Sequence, residues 1–419
     1  MNTVSGVSFN QLAEEFGTPA YVYDGDTLLD DFTRLRRALD ASLEIFFSLK
    51  ANPNISVFGL LHTAGARAEV SSLTELRTAL LAGADPENVI FLGPGKSREE
   101  IAACIDAGIH AIVAESLDEL GLIEAIAGER DRRQRVLLRI NPARPASGVR
   151  LAMGGKPRQF GVDEDVVLGD RSRFLGFRHL WVAGIHVYLG TRILDAEAVV
   201  ENTRYILDLA KRFSDVAGIP LETVDIGGGL GVPYFDNESE LDIGRLGCEL
   251  NPLLEGFRAD HPQARLILEA GRYLTARCGT YLVGVRSVKR SQGENFAVTD
   301  GGTHQHMAAV GIGSVPRRNF PVSLLGRVSE EPAERWNLSG PLCTPGDILA
   351  KNALLPPLRT GDLLGVLMSG AYGPTASPVL FLGHGYPAEV LVHRGEAHLV
   401  RTRDTVDDLL AKQILCRFA

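Results

Sequence analysis

Between residues 24 and 270, short apolar runs alternate with stretches whose apolar positions recur at three- and four-residue spacing. The runs are Glu44–Leu49, Arg67–Val70, Asn88–Leu92, His110–Val113, Val136–Ile140, Trp181–Val187, Thr223–Ile226 and Arg265–Glu269. Strands buried on both faces read as continuous apolar runs, and helices between them imply parallel pairing through right-handed crossovers. Ser72-Leu73-Thr74-Glu75 and Ser116-Leu117-Asp118-Glu119 fit capping boxes at helix starts, and Gly83 suits the end of the first helix. Eight β/α units in about 250 residues predict a (β/α)8 barrel, with a doubly wound open sheet as the alternative. After residue 271 the texture changes. Thr280–Val288, Phe296–Thr299, Asp362–Met368 and Ala388–Val392 are β-like runs separated by turn residues, which predicts a mostly antiparallel second domain. Ala20-Tyr21-Val22-Tyr23 is expected to supply one of its strands, while Arg144–Gly155 and Glu330–Asn337 read as loops. The expected division is therefore a barrel over 24–272 and a β-domain from 1–23 and 273–419.

The 419 residues are enough for two filled cores. The N-terminal residues lack a basic start and an apolar core, and no run approaches the roughly 18 apolar residues of a membrane span, so a cytoplasmic location is expected. The five cysteines are scattered, without the close pairs of a zinc ribbon or redox dithiol. A net charge of −9 argues against nucleic acid or anionic lipid and leaves a small molecule or a docked protein as partner.

In a barrel, chemistry collects where the strands end. The first run delivers Lys50 to an Asn52-Pro53 turn, either as a strand-end lysine reaching water or as an amine able to attack carbonyls. The second ends in Glu69-Val70-Ser71, the fifth in Arg139, the sixth in His186 and the eighth in Glu269-Ala270-Gly271-Arg272. Gly227-Gly228-Gly229 closes the seventh, as a tight turn or as a phosphate cradle to which Arg272 adds charge. A dinucleotide fingerprint fits it poorly, because Val232 holds the third glycine position. Glu269 closes an apolar run and needs a cationic or donor partner, which a protonated heteroaromatic nitrogen would supply. His304 and His306 lack a third ligand, so no metal is expected. Lysine, phosphate cradle, flat-ring partner and buried carboxylate together match the needs of pyridoxal 5′-phosphate (PLP).

From about Pro19 to Leu391 the chain resembles the fold-type III PLP-dependent decarboxylases, the group of diaminopimelate, ornithine and arginine decarboxylases. The resemblance implies an alanine-racemase-like barrel with a C-terminal β-domain. It makes Lys50 the cofactor's covalent anchor, His186 the residue stacked on its ring and Glu269 the partner of its pyridine nitrogen. Racemases of the group place arginine there, so Glu269 points to decarboxylation. Arg139 corresponds to an arginine near the ring hydroxyl, and Gly228, Gly229, Gly271, Arg272 and Tyr372 to phosphate or cofactor contacts. Gly340-Pro341-Leu342-Cys343 resembles a motif whose cysteine crosses a homodimer interface and donates a proton after CO2 leaves. Thr344-Pro345 follows it here, where diaminopimelate decarboxylases carry Glu-Ser and ornithine decarboxylases an aspartate, so a basic distal group on the substrate is not expected.

Met153–Gly161, Gly301–His306 and Arg317–Pro321 are similar to a biosynthetic-cluster branch that includes the butirosin-pathway decarboxylase of a glutamyl group on an acyl carrier protein. Arg317, Arg318 and Thr344 become the substrate-reading positions, with Arg158 near the barrel mouth. Arg130, Arg132, Arg133 and Arg135 offer a basic docking patch for an acidic carrier. The competing expectations are diaminopimelate decarboxylase proper, an amino-acid racemase of the same fold, and a non-catalytic PLP-binding relative.

Overall fold

The computed structural model describes residues 2–145, 147–148, 151–152, 154–310, 318–327 and 334–417. The chain divides into two compact units, one of Leu29–Pro233 with Glu238–Leu274, the other of Met1–Leu28, Tyr234–Asn237 and Thr275–Ala419.

The first unit is a closed barrel of eight parallel strands: β1 (Leu43–Ser48), β2 (Arg67–Val70), β3 (Val89–Phe91), β4 (Ala111–Ala114), β5 (Gln134–Asn141), β6 (Leu180–His186), β7 (Thr223–Asp225) and β8 (Arg265–Ala270). Each pairs with the next, and β8 closes on β1 through Leu266–Ala270 against Leu43–Phe47. Each expected run overlaps one of these strands, most of them displaced by a residue or two at the ends. Leu49 leaves β1 for a single 3-10 turn, Leu49–Ala51, which carries Lys50. Phe46, Ile90, Ala111, Val113, Leu137, Ala183 and Ile267 form one buried cluster. Side chains from strands on opposite sides of a closed ring can meet only inside it, so this cluster is the barrel's filling. Where β6 pairs with β5 the register slips between Val182 and Gly184, a bulge three residues before the strand end. Such an extra residue changes the face on which later side chains stand, and His186 lies beyond it.

Helix starts use the expected serines with one difference. Ser72 and Ser116 accept from the N–H groups of Glu75 and Glu119, but these glutamates reach past the cap to the N–H of Ser71 and Glu115. A reciprocal capping box instead opens Arg98–Ala107, between Ser97 and Glu100.

In the second unit, the N-terminal strand Ala20–Asp24 pairs antiparallel with β9 (Gly279–Ser291). β10 (Glu294–Thr299) pairs with β9 as a hairpin. β11 (Val322–Leu325), β12 (Glu334–Ser339), β13 (Ile348–Leu355), β14 (Leu363–Val366), β15 (Ala388–His393) and β16 (Glu396–Arg401) complete the sheet. Val22, Leu282, Leu325, Val390 and Val392 close over Val4, Val7, Phe9 and Leu12 as its core. β12 corrects the expectation of a loop over Glu330–Asn337 from Glu334 onward, residues 330–333 lying outside the described residues. Its Trp336, Asn337 and Leu338 are buried, and it pairs parallel with β10 and antiparallel with β13. Among the described residues no helix is long and apolar enough to cross a membrane.

Candidate active site

The strand ends of the barrel converge on Lys50. Its Nζ lies 2.8 Å from Glu69 Oε2 and 3.9 Å from Glu269 Oε2, with the Tyr188 ring 6.0 Å away. Glu69 and Glu269 are buried, so two carboxylates taken from water are offset by one amine and by hydrogen-bond donors. For Glu69 the donor is Ser71 Oγ at 3.0 Å. For Glu269 it is His186, whose Nε2 lies 2.9 Å from Oε1. Burial alone pushes the Glu269 carboxyl up, but Lys50, His186 and Arg139 outweigh it and hold the group below the usual range. Glu269 is thus an anion in a dry place, the partner that a protonated ring nitrogen requires.

Asp225, at the end of β7, has the opposite state. It is wholly buried, and burial together with the nearby Glu269 charge pushes its carboxyl well above the ordinary range, despite the N–H that Gly227 donates to Oδ1 at 2.8 Å. Donor atoms of His186, Asp225 and Glu269 all lie within 4.8 Å of one another. Glu75 is a fourth carboxyl near the amine. Burial and the Glu69 charge raise it to about 7, and it accepts from the Ser71 N–H.

Arg139 is anchored from behind. Glu115 Oε1 lies 2.5 Å from its Nη1, and the Phe160 ring sits 4.6 Å from its guanidinium carbon. Glu115 also accepts from the Gly161 N–H through Oε2, and its own N–H goes to Glu119, which pairs with the buried Lys96.

The glycines are required by close packing. A Cβ at Gly228 would lie 2.1 Å from the Glu269 carbonyl oxygen, and one at Gly229, where φ is +105°, 2.1 Å from that of Gly190. At Gly271 it would stand 2.9 Å from Ala51 Cβ, against the turn that carries Lys50. The Gly227 N–H is engaged by Asp225, so that amide does not serve a phosphate as the cradle reading had it. Arg272 follows directly on β8 and Gly271.

The other expected residues belong to the second unit. Cys343 and Thr344 are exposed in a turn fixed by the buried Asp347, whose carboxylate accepts from the Thr303 N–H, the Thr303 hydroxyl and the Leu342 N–H at 2.7–2.9 Å. Gly302 and Gly340 leave room for it, since a Cβ on either would come within 2.5 Å of Asp347 Oδ1 or Oδ2. Tyr372 has φ +56°, a left-handed conformation uncommon outside glycine. Arg318 stacks 5.3 Å over Phe235 and donates to Asn237 Oδ1, whereas Arg317 lies outside the described residues.

The basic cluster proposed for docking is displaced from the site. Arg130, Arg132 and Arg133 precede β5 and Arg135 opens it, on the rim opposite Lys50. Arg130 pairs with Asp106 and Arg135 with Glu87 and Glu222, so much of its charge is already compensated.

Sequence reasoning put Glu69 at a strand end without giving it a role, and passed over Asp225 and Glu115 as site members. Glu115 follows the apolar run Ala111–Ala114 as Glu269 ends another, and the same argument would have marked it.

These features fit PLP. His186 Nδ1 and Asp225 Oδ2 are buried without a hydrogen-bond partner among the described residues, a lysine amine is held among carboxylates, and a buried anion stands ready for a ring nitrogen. The family described as pyridoxal-dependent decarboxylase, pyridoxal binding domain, matches residues 26–276. The L-glutamyl-[BtrI acyl-carrier protein] decarboxylase of Niallia circulans is 40% identical over 96% of this chain and 95% of its own. The diaminopimelate decarboxylase of Methanothermobacter thermautotrophicus is 31% identical over 98% and 95%. Among solved structures, diaminopimelate decarboxylase from Helicobacter pylori, complexed with L-lysine, superposes with a TM-score of 0.86 at 27% identity, covering 96% of this chain and 98% of that one. Similarity over almost the whole length, centred on a barrel whose strand ends suit the cofactor, shows that this chain belongs to the fold-type III pyridoxal-dependent decarboxylases and removes CO2 from an amino-acid substrate with PLP.

Proposed function

We propose that the substrate is a glutamyl group carried as a thioester on an acyl carrier protein, and that the enzyme works as a homodimer with shared sites. The observation that carries the substrate reading is the 40% identity, over nearly the full length of both chains, to the glutamyl-carrier decarboxylase. Thr344 supports it: this short, uncharged side chain stands where a diaminopimelate enzyme would read a distal amine.

In this reading Lys50 would anchor PLP, Glu269 would keep its ring nitrogen protonated, His186 would stack on the ring and Arg139 would bind near the ring oxygen. Gly228, Gly229, Gly271 and Arg272 would hold its phosphate. When bound, PLP supplies the electron sink that accepts the pair left on Cα as the carboxylate departs as CO2. Glu69, 2.8 Å from Lys50, takes and returns the lysine's proton as the substrate amine exchanges with it. Cys343, exposed on its turn, reaches the partner subunit's site, and it or Lys50 delivers a proton to Cα.

The test is CO2 release by the purified holoenzyme from glutamyl-loaded BtrI, free L-glutamate and meso-diaminopimelate. Release from the carrier-bound substrate alone supports the proposal. Release from free diaminopimelate overturns the substrate reading while leaving the decarboxylase chemistry intact.

A further inference from the structure

Twenty residues after β5, from Pro142 to Gly161, contain Arg144, Arg150, Lys156 and Arg158 and no aspartate or glutamate. This occurs in a chain with 52 acidic and 43 basic residues, and at the C-terminal end of a strand, on the rim that bears Lys50.

The described residues of the segment are tied to the barrel end. Leu151–Ala152 pairs antiparallel with Gly190–Thr191. The Gly155 N–H donates to Asn141 Oδ1 at 3.2 Å, Asn141 Nδ2 donates to the Lys156 carbonyl at 3.3 Å, and Gly161 is tied to Glu115 at 3.0 Å. Gly155 has φ +75° and packs so closely that a Cβ would lie 2.4 Å from the Arg144 carbonyl. Arg144, Lys156 and Arg158 are exposed on this frame. The Arg144 guanidinium lies 4.3 Å from the Tyr205 ring and donates to the Glu201 carbonyl, so it is oriented by a π face and a neutral oxygen. Among the described residues neither Arg144 nor Lys156 pairs with a carboxylate. Of the acids that follow the segment, Asp163 is engaged by Asn141 and Glu164 by Arg212 and Tyr205. Arg144 and Lys156, exposed on the substrate-side rim with no carboxylate partner among the described residues, produce a local positive field that steers and orients an acidic partner.

We infer that this cationic rim, centred on Arg144 and Lys156, is the docking surface for an acidic carrier protein delivering its thioester-bound substrate. The inference rests on the carrier-tethered reading proposed above. A carrier seated here faces the Lys50 rim, whereas one seated on Arg130–Arg135 would face the far end of β5, roughly 25 Å away at about 3.3 Å per residue.

The experiment compares kcat/KM for glutamyl-loaded BtrI and for glutamyl-pantetheine thioester, which has the same reacting group without a protein. The variants are R144E/K156E and, on the opposite rim, R132E/R133E. At low salt R144E/K156E is expected to lose roughly tenfold or more on the carrier substrate, with the difference shrinking toward about 0.5 M salt. Turnover of the small thioester stays within about twofold, which also reports intact folding, and R132E/R133E leaves both substrates unchanged. Equal losses on both substrates, no loss on the carrier, or a carrier-specific loss in R132E/R133E overturns the docking assignment. If wild-type enzyme takes neither thioester but decarboxylates a free amino acid, the carrier reading itself falls and the docking surface with it.

Discussion

Replacing Glu69 with glutamine tests how the reactive amine is controlled. The carboxylate is buried, 2.8 Å from Lys50 Nζ, and accepts from Ser71. Glutamine keeps the size and an acceptor for Ser71 but removes the charge, leaving Glu269 at 3.9 Å to balance the ammonium. A hydrogen bond to a charged group contributes about 1.5–3 kcal/mol, and one pH unit corresponds to about 1.4 kcal/mol. The sign is fixed: the carboxylate stabilises the ammonium, so its loss favours the neutral amine that attacks aldehydes. The pH midpoint for PLP capture by Lys50 therefore moves down by about one to two units. Below that midpoint the variant apoenzyme captures PLP roughly 10- to 100-fold faster. Stopped-flow growth of the visible band of bound PLP, followed across a pH series, measures this directly. An unchanged midpoint, or one displaced to higher pH, would refute the control assigned to Glu69.

Gly228→Ala would place a Cβ 2.1 Å from the Glu269 carbonyl; overpacking of about 1–3 kcal/mol and weaker PLP binding are expected in melts and equilibrium titration, and wild-type values in both would contradict this. Asp225→Asn addresses a carboxyl whose folded pKa is raised, so its penalty is absent below the unfolded value near 4 and grows as pH rises toward the folded value. Asparagine retains an acceptor for Gly227 without that penalty. The variant apoprotein should therefore be more heat-stable than wild type at pH 7 and show less loss of Tm between pH 5 and pH 8, as followed by calorimetry; a lower Tm at pH 7 counts against it. Asp347→Asn gives up charged acceptance from Thr303 and Leu342, which should cost about 1–3 kcal/mol in urea melts. It should also slow CO2 release in the manner of Cys343→Ala, and wild-type turnover would detach that turn from catalysis.

The barrel was legible because strands buried on both faces leave apolar runs, and a barrel's chemistry gathers where those runs end. Lys50 and Glu269 followed from that rule, and they stand 3.9 Å apart. The bond between His186 and Glu269 joins residues 83 positions apart and leaves no local trace. Asp225 was hidden by its neighbours, since an acid before three glycines reads as part of a turn. β12 was overlooked because Glu334 and Arg335 made a strand look like a solvated loop, although Trp336 and Leu338 kept the period. The Arg130–Arg135 cluster was put forward from charge alone. Its position before β5 rather than after it already assigned it to the far rim.

The most direct test of the central claim pairs the visible absorbance of purified protein with CO2 release in wild type and Lys50→Ala. The account predicts that wild type carries bound PLP, retains it through gel filtration and releases CO2 from the glutamyl carrier. Lys50→Ala should lose both the covalent band and turnover while still melting cooperatively, at a Tm lowered by the charge left unpaired on Glu69 and Glu269. A wild-type protein that binds no PLP, or a Lys50→Ala variant that keeps the band and the activity, would contradict it.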